Sequence, residues 1–142
     1  MPDTTTSDIT IRAISADETY ELRHQVLWPG EPVSYIKLGN DAVGLHFGAF
    51  RNGKLVSVIS LFIDGSVARF RKFATRPDCQ GQGIGSQLLR HVINEARRRG
   101  ARRLWCDARA RNEAFYRAFK LEPEGNRIYR GTEPYILMAR DL

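Results

Sequence analysis

The stretch RPDCQGQGIGSQLL, residues 76–89, constrains this chain more than any other. Gly81, Gly83 and Gly85 alternate at the head of an apolar run with helical spacing: Ile84, Leu88, Leu89, Val92, Ile93 and Ala96. VARFRKFAT (67–75), just upstream, reads as a strand. A strand that breaks at glycines and restarts as a helix aims several free backbone N–H groups, and the positive end of the helix, at one point. An anion fits there. Side chains longer than hydrogen would hold a phosphate away from the amides, so the glycines clear the space. The helix also closes well. Arg97, Arg98 and Arg99 fill its last turn and Gly100 follows, which puts cations and a left-handed cap at the negative end of the dipole.

The other elements arrange themselves around this unit. ITIRAI (9–14) alternates like a strand, and Ser15 with Glu18 forms a capping box that opens a helix through about Leu27. Residues 28–41, WPGEPVSYIKLGND, read as a loop with room for one short helical turn. AVGLHFGAF (42–50) and KLVSVISLF (54–62) are strands joined by an Asn-Gly turn, and DGS (64–66) leads into VARFRKFAT, completing an antiparallel meander. RRLWCDA (102–108) follows the glycine-led helix, so a strand–helix–strand crossover sets it parallel to the last meander strand. NEAFYRAF (112–119) is a short helix; RIYRG (127–131) and PYILMAR (134–140) are closing strands. The order β-α-β-β-β-α-β-α-β-β specifies an α/β fold: a central mixed sheet flanked by helices, with a meander joined to a β-α-β crossover. At 142 residues the expectation is a disordered polar tail at 1–7 and a single domain over 8–142.

Charge narrows the partners. Residues 1–68 carry five Lys/Arg against eight Asp/Glu, whereas residues 69–142 carry 17 against eight. The half with the glycine loop therefore suits a polyanion, either a phosphorylated cofactor or nucleic acid. RRRGARR (97–103) reads as a solvated face and helix cap, and no aromatic interleaving or nucleic-acid module accompanies it, so nucleic acid is not the expected partner. No apolar run approaches the ~18–20 residues of a membrane span. MPDTTTSD lacks the basic start and apolar stretch of a signal peptide. Cys79 and Cys106 stand alone, without a CxxC pair or nearby histidines, so no metal site and a reducing cytoplasm are expected.

Three phosphate motifs compete for the glycines. A P-loop needs a Lys that is missing here. A Rossmann fingerprint would have Ser86 in place of its third glycine. Asp107 on the next strand would suit its ribose contact, but the loop follows a meander, not the first strand of a parallel sheet. The third pattern, [QR]-x-x-G-x-[GA], is met by Gln80-Gly81-Gln82-Gly83-Ile84-Gly85. In its setting, FATRPDCQGQGIGSQLL closely resembles the acetyl-CoA loop of the GNAT superfamily of N-acetyltransferases, and ARARNEAFYRAFKLEPEG resembles that family's second signature. Two departures stand out: Lys120-Leu121 replaces the usual Gly-Phe pair, and Arg109 replaces an Asn common seven residues before the tyrosine.

The resemblance implies the GNAT acyl-CoA N-acyltransferase fold, with acetyl-CoA in a wedge between VARFRKFAT and RRLWCDA. The backbones of Phe73 and Thr75 would pair with the pantetheine arm, and N–H groups from Gln80, Gly81, Gln82, Gly83, Ile84, Gly85 and Ser86 would hold the pyrophosphate. Arg109 would take the Asn's place beside the cofactor, and Tyr116 sits where the family's acid tyrosine sits. The last meander strand has no carboxylate, which leaves His46 as a base candidate. Trp28 and Glu31 in the WPGEP loop and Tyr135 on the last strand are acceptor-contact candidates, Glu31 for a cationic acceptor. The expected partners are acetyl-CoA and the amine of a small molecule or protein, without nucleic acid, membrane or metal, and with a homodimer left open. The competing class is an acyl-CoA sensor of the same fold that does not turn over.

Overall fold

A computed structural model describes residues 8–142; the polar stretch 1–7 lies outside the described residues. The strands are β1 (Ile9–Ile14), β2 (Leu45–Arg51), β3 (Lys54–Asp64), β4 (Val67–Thr75), β5 (Arg103–Arg109), β6 (Glu122–Arg130) and β7 (Glu133–Asp141). The helices are α1 (Ala16–Leu22), α2 (Ile84–Arg98) and α3 (Glu113–Arg117). The seven strands form one sheet in the order β1-β2-β3-β4-β5-β7-β6. Every neighbouring pair is antiparallel except β4 and β5, which the crossover through α2 sets parallel.

The capping box forms as the sequence specifies: Ser15 Oγ accepts from the Glu18 N–H, and Glu18 Oε1 accepts from the Ser15 N–H, both at 3.3 Å. The helix continues as a π-helical turn, Arg23–Leu27, up to the expected end at Leu27. The apolar stripe of α2 (Leu88, Leu89, Val92, Ile93, Ala96) packs into the main core with Phe47, Ile59, Leu61, Phe70 and Leu104. Each such leucine contributes about 1.5–3 kcal/mol relative to exposure. At the other end of α2, Arg98 and Arg99 both donate to Glu95 Oε1, and their hydrogen bonds hold its carboxyl at about 2.

Two local departures from the sequence reading have physical causes. The second strand begins at Leu45 and not at residue 42, because Asp41–Val43 form a 3-10 turn held by the Asp41 carboxylate, which accepts from the Leu38 N–H at 2.9 Å. The turn after α3 needs a left-handed residue, and Lys120 supplies it at φ +67, against a cost of about 1–2 kcal/mol for a side chain there. Leu121 beside it is fully buried, so Lys-Leu performs the turn of a Gly-Phe pair.

One feature was invisible in the sequence. Arg23 is fully buried and forks onto Asp41, Nη1 donating to Oδ2 at 2.8 Å and Nη2 to Oδ1 at 2.9 Å. It also donates to the Ile36 carbonyl and to Ser60 Oγ, both at 2.9 Å. This network ties the π-helical turn and the loop 28–41 to β3.

The pairing of β4 with β5 lasts only from Val67↔Arg103 to Arg69↔Trp105. Beyond it the strands part. Between the pairs Val58↔Ala74 and Ser60↔Arg71, a single β3 residue, Ile59, faces two β4 residues, Lys72 and Phe73. Lys72 lies at φ +55, the mark of a bulge. A bulge bends its strand, here opening a wedge between β4 and β5.

Candidate active site

The wedge is a cleft of ≈ 740 Å³ that runs from the β4–β5 vertex, past Phe73 and Thr75, to the glycine loop. At the loop end, Gly81 and Gly83 take φ +75 and +82, and a Cβ built on either meets nothing within 4 Å. The positive φ explains why glycine is needed, and the open space explains what it leaves room for. Gly83 caps α2 without a side-chain acceptor. Among the described residues, no protein group accepts from the backbone N–H groups of residues 81–86. Gly85 serves packing instead: a Cβ there would lie 3.3 Å from the Phe73 ring and 3.5 Å from Thr75 Oγ1, so the first turn of α2 sits hard against β4.

Gln80, Gly81, Gly83, Gly85, Ser86, Phe73, Thr75, Arg109, Trp28 and Tyr116 all line the cleft. Gln80 Nε2 donates to the Thr75 carbonyl at 3.0 Å, which fastens the loop to the end of β4 and occupies that carbonyl. The side chains of Gln82 and Ile84 turn away. Gln82 Oε1 accepts from Arg51 at 2.6 Å, and Ile84 is buried in a cluster with Ala49, Val56 and Cys79, so only their backbones face the loop.

Tyr116 is buried, with its ring 5.8 Å from Phe70 and 5.2 Å from Phe115. Burial, with Cys106 nearby, pushes its phenol well above the usual tyrosine range, so it keeps its proton at neutral pH. Cys106, also in the cleft wall, is pushed to about 12 by burial and then by Asp107; burial, with Asp78 alongside, raises Cys79. Neither thiol presents a thiolate.

Three expected site residues lie elsewhere. His46 is buried outside the cleft lining, and both ring nitrogens are engaged. Its Nε2 donates to the Asp41 carbonyl at 2.8 Å, and Nδ1 lies 2.6 Å from the Ser60 hydroxyl. With the ring hydrogen on Nε2, Nδ1 accepts from the Ser60 hydroxyl, whose oxygen in turn accepts from Arg23. No lone pair remains to accept a substrate proton, and His46 belongs to the network beneath the loop 28–41. The Glu31 side chain is exposed and does not line the cleft. Tyr135 is buried behind Arg109, whose Nε donates to its hydroxyl at 3.3 Å. Asp107 is committed to Arg69 at 2.7 Å, with Arg130 at 3.6 Å, and is not poised for a ribose.

Sequence reasoning missed Phe70, Arg71, Lys72, Cys106 and Phe115 as cleft residues. Arg71 and Lys72 sit at the β4 bulge, for which VARFRKFAT carries no glycine or other signal. Among the described residues no group of His, Cys, Asp or Glu is placed to hold a metal ion, and no helix is long and apolar enough to cross a membrane.

Comparison with known proteins agrees with this geometry. The chain is similar to the N-acetyltransferase YitI of Bacillus subtilis, 30% identical over 115 residues that cover 75% of this chain and 77% of that protein. It is similar to the [Ribosomal protein bS18]-alanine N-acetyltransferase of Escherichia coli, 37% identical over 70 residues, 49% of this chain and 47% of that one. The crystal structure of that enzyme superposes with a TM-score of 0.79 at 24% identity, covering 94% of this chain and 93% of the other. A GNAT family acetyltransferase from Elizabethkingia anophelis, solved with acetyl-CoA bound, superposes with a TM-score of 0.76 at 20% identity over 95% of this chain and 99% of that one. The model of the Acetyltransferase (GNAT) family matches residues 12–121. With the sheet, the wedge and the glycine loop in place, that match over most of the chain makes it a member of the GNAT family of N-acetyltransferases.

Proposed function

We propose that the chain moves an acetyl group from acetyl-CoA to a primary amine by direct attack within a ternary complex. The observation that carries this reading is the row of unpartnered N–H groups at residues 81–86, placed at one end of a cleft whose wall carries Tyr116. The loop would take the pyrophosphate, and the open edge of β4 beyond Arg69 would take the pantetheine arm. The amine nitrogen attacks the thioester carbonyl; the N–C bond forms, the C–S bond breaks, the amine gives up one proton and the thiolate gains one. No enzyme acyl intermediate is needed, and the protonated state of Cys79 and Cys106 argues against one.

Tyr116 would give its proton to the departing thiolate, since it lines the cleft, burial keeps the phenol protonated, and no hydrogen bond among the described residues uses its hydroxyl. General acid help is typically worth ~10²–10⁴ in rate, and a thiol is already a fair leaving group, so the low end applies. Tyr116→Phe is expected to lower kcat by about 10–100-fold. It keeps the ring packing and should leave CoA affinity nearly unchanged. Thiol-release kinetics on an acceptor from an amine panel read both quantities, and wild-type turnover with chemistry rate-limiting would reduce Tyr116 to a packing residue.

A further inference from the structure

We propose that the acceptor is a small amine carrying an oxyanion, a carboxylate or a phosphate, held by Arg71 and Lys72; this rests on the transferase reading above. The two residues sit side by side at the β4 bulge, half-buried, in the cleft wall. Among the described residues Arg71 has no hydrogen bond or ion pair, and Lys72 reaches only the Tyr35 carbonyl, at 3.5 Å. The one carboxylate of the cleft lining, Asp107, is taken by Arg69 and Arg130. Asp41 is held by Arg23 at 2.8 Å, and Glu133 lies 3.6 Å from Arg111 and 4.0 Å from Arg109. Two partly desolvated cations without a counter-charge are costly unless a ligand supplies one. Burial and then the neighbouring Arg71, Arg23 and Arg130 charges outweigh Asp41 and hold the Lys72 ammonium down to about 8.

Position separates these cations from the phosphates of the cosubstrate. Arg71 lies four residues before the end of β4, about 13 Å of strand, and the glycine loop lies further on. Arg71 is only two residues past the vertex pair Arg69↔Trp105, at the closed end of the wedge, where the thioester would lie with the pantetheine arm along β4 and the phosphates at the glycine loop. The 28–41 loop flanks it, with Trp28 in the cleft wall and its ring 5.9 Å from that of Tyr35.

The same charges bear on the missing base. A cationic surround disfavours the ammonium form of a bound amine and favours the free nucleophile. Polyamines and lysine-rich peptides would meet like charge instead, so the exposed Glu31 does not define the acceptor.

The test uses matched amines with acetyl-CoA: L-phenylalanine against 2-phenylethylamine, O-phosphoethanolamine against ethanolamine, and spermidine as the cationic extreme. The oxyanion member of at least one pair is expected to lead in kcat/KM by about tenfold or more, the two pairs separating carboxylate from phosphate. Arg71→Ala should lose most of that preference, Arg71→Lys should regain part of it, and CoA affinity by calorimetry should stay within about twofold in both. Equal or better turnover of the neutral or cationic members overturns the proposal. So does a loss of CoA affinity in Arg71→Ala as large as the loss of preference, which would assign the cations to the cosubstrate. If CoA binds and no amine is acetylated, the transferase reading fails. Ligand-observed NMR of the same amines on the CoA-saturated protein then decides the charge question: tighter binding of the oxyanion members supports it and equal binding rejects it.

Discussion

Gly83→Glu is expected to weaken CoA binding by about a hundredfold or more, the largest functional effect of any single change in the cleft. The substituted carboxylate would project from the cap of α2, where the N–H groups of residues 81–86 are free, and would satisfy or repel what they are meant to hold. There is room for it, since nothing lies within 4 Å of a Cβ at this position. The backbone is the complication. Gly83 sits at φ +82, so any side chain adds about 1–2 kcal/mol of strain. Gly65→Glu is the matching control: that glycine has φ +61 and open space, in the β3–β4 turn. Both variants should lose similar stability by thermal melting, while only Gly83→Glu should lose CoA binding by calorimetry. Equal affinities in the two would remove the loop from the site.

Arg23→Met should be the most destabilising substitution of a charged residue, at about 3–5 kcal/mol. For a chain of this length that is a fall in Tm of about 10–15 °C. The loss is not the worth of the pair; it is the cost of leaving Asp41 buried without its cation. Burial works to raise the Asp41 pKa, yet the Arg23 hydrogen bonds, the Leu38 N–H and the Arg23 charge keep it below the usual carboxylate range. Adding Asp41→Asn to Arg23→Met removes the stranded charge and should recover a substantial part of the stability. Additive losses in chemical denaturation of the single and double variants would mean the two residues act independently. Since the network carries the loop 28–41, the single variant should also perturb the acceptor end of the cleft before the phosphate end.

What the chain discloses by sequence is its local chemistry. The Ser15–Glu18 capping box, the Asn-Gly turn, the arginine-rich end of α2 and the glycine loop each act within a few residues, and each forms as read. The wedge was legible only as a consequence of topology: a crossover makes β4 and β5 parallel neighbours, but where they part depends on a bulge at Lys72 that no glycine announces. Long-range pairings were not legible at all. Arg23 meets Asp41 across 18 residues and Ser60 across 37, and that meeting turns His46 from a plausible base into a buried hydrogen-bonded support. In the same way, Arg71 has no ion pair among the described residues because Asp107 is held by Arg69, 38 residues away in sequence. Tyr116, by contrast, lies in the cleft wall on a short helix that follows β5 after one 3-10 turn, Ala110–Asn112, so its place is set within a few residues of sequence.

Direct acetyl transfer in the cleft is tested most closely by an isotope experiment. The protein is mixed with acetyl-CoA labelled with ¹³C in the acetyl group, first alone and then with the best amine of the panel, and both protein and small molecules are analysed by mass spectrometry. No labelled protein is expected in either sample, and in the second one labelled amide is expected for each CoA thiol released. Label on Cys79 or Cys106 that chases into the amide would contradict direct attack, and CoA binding with no labelled amide from any amine would make the chain a sensor.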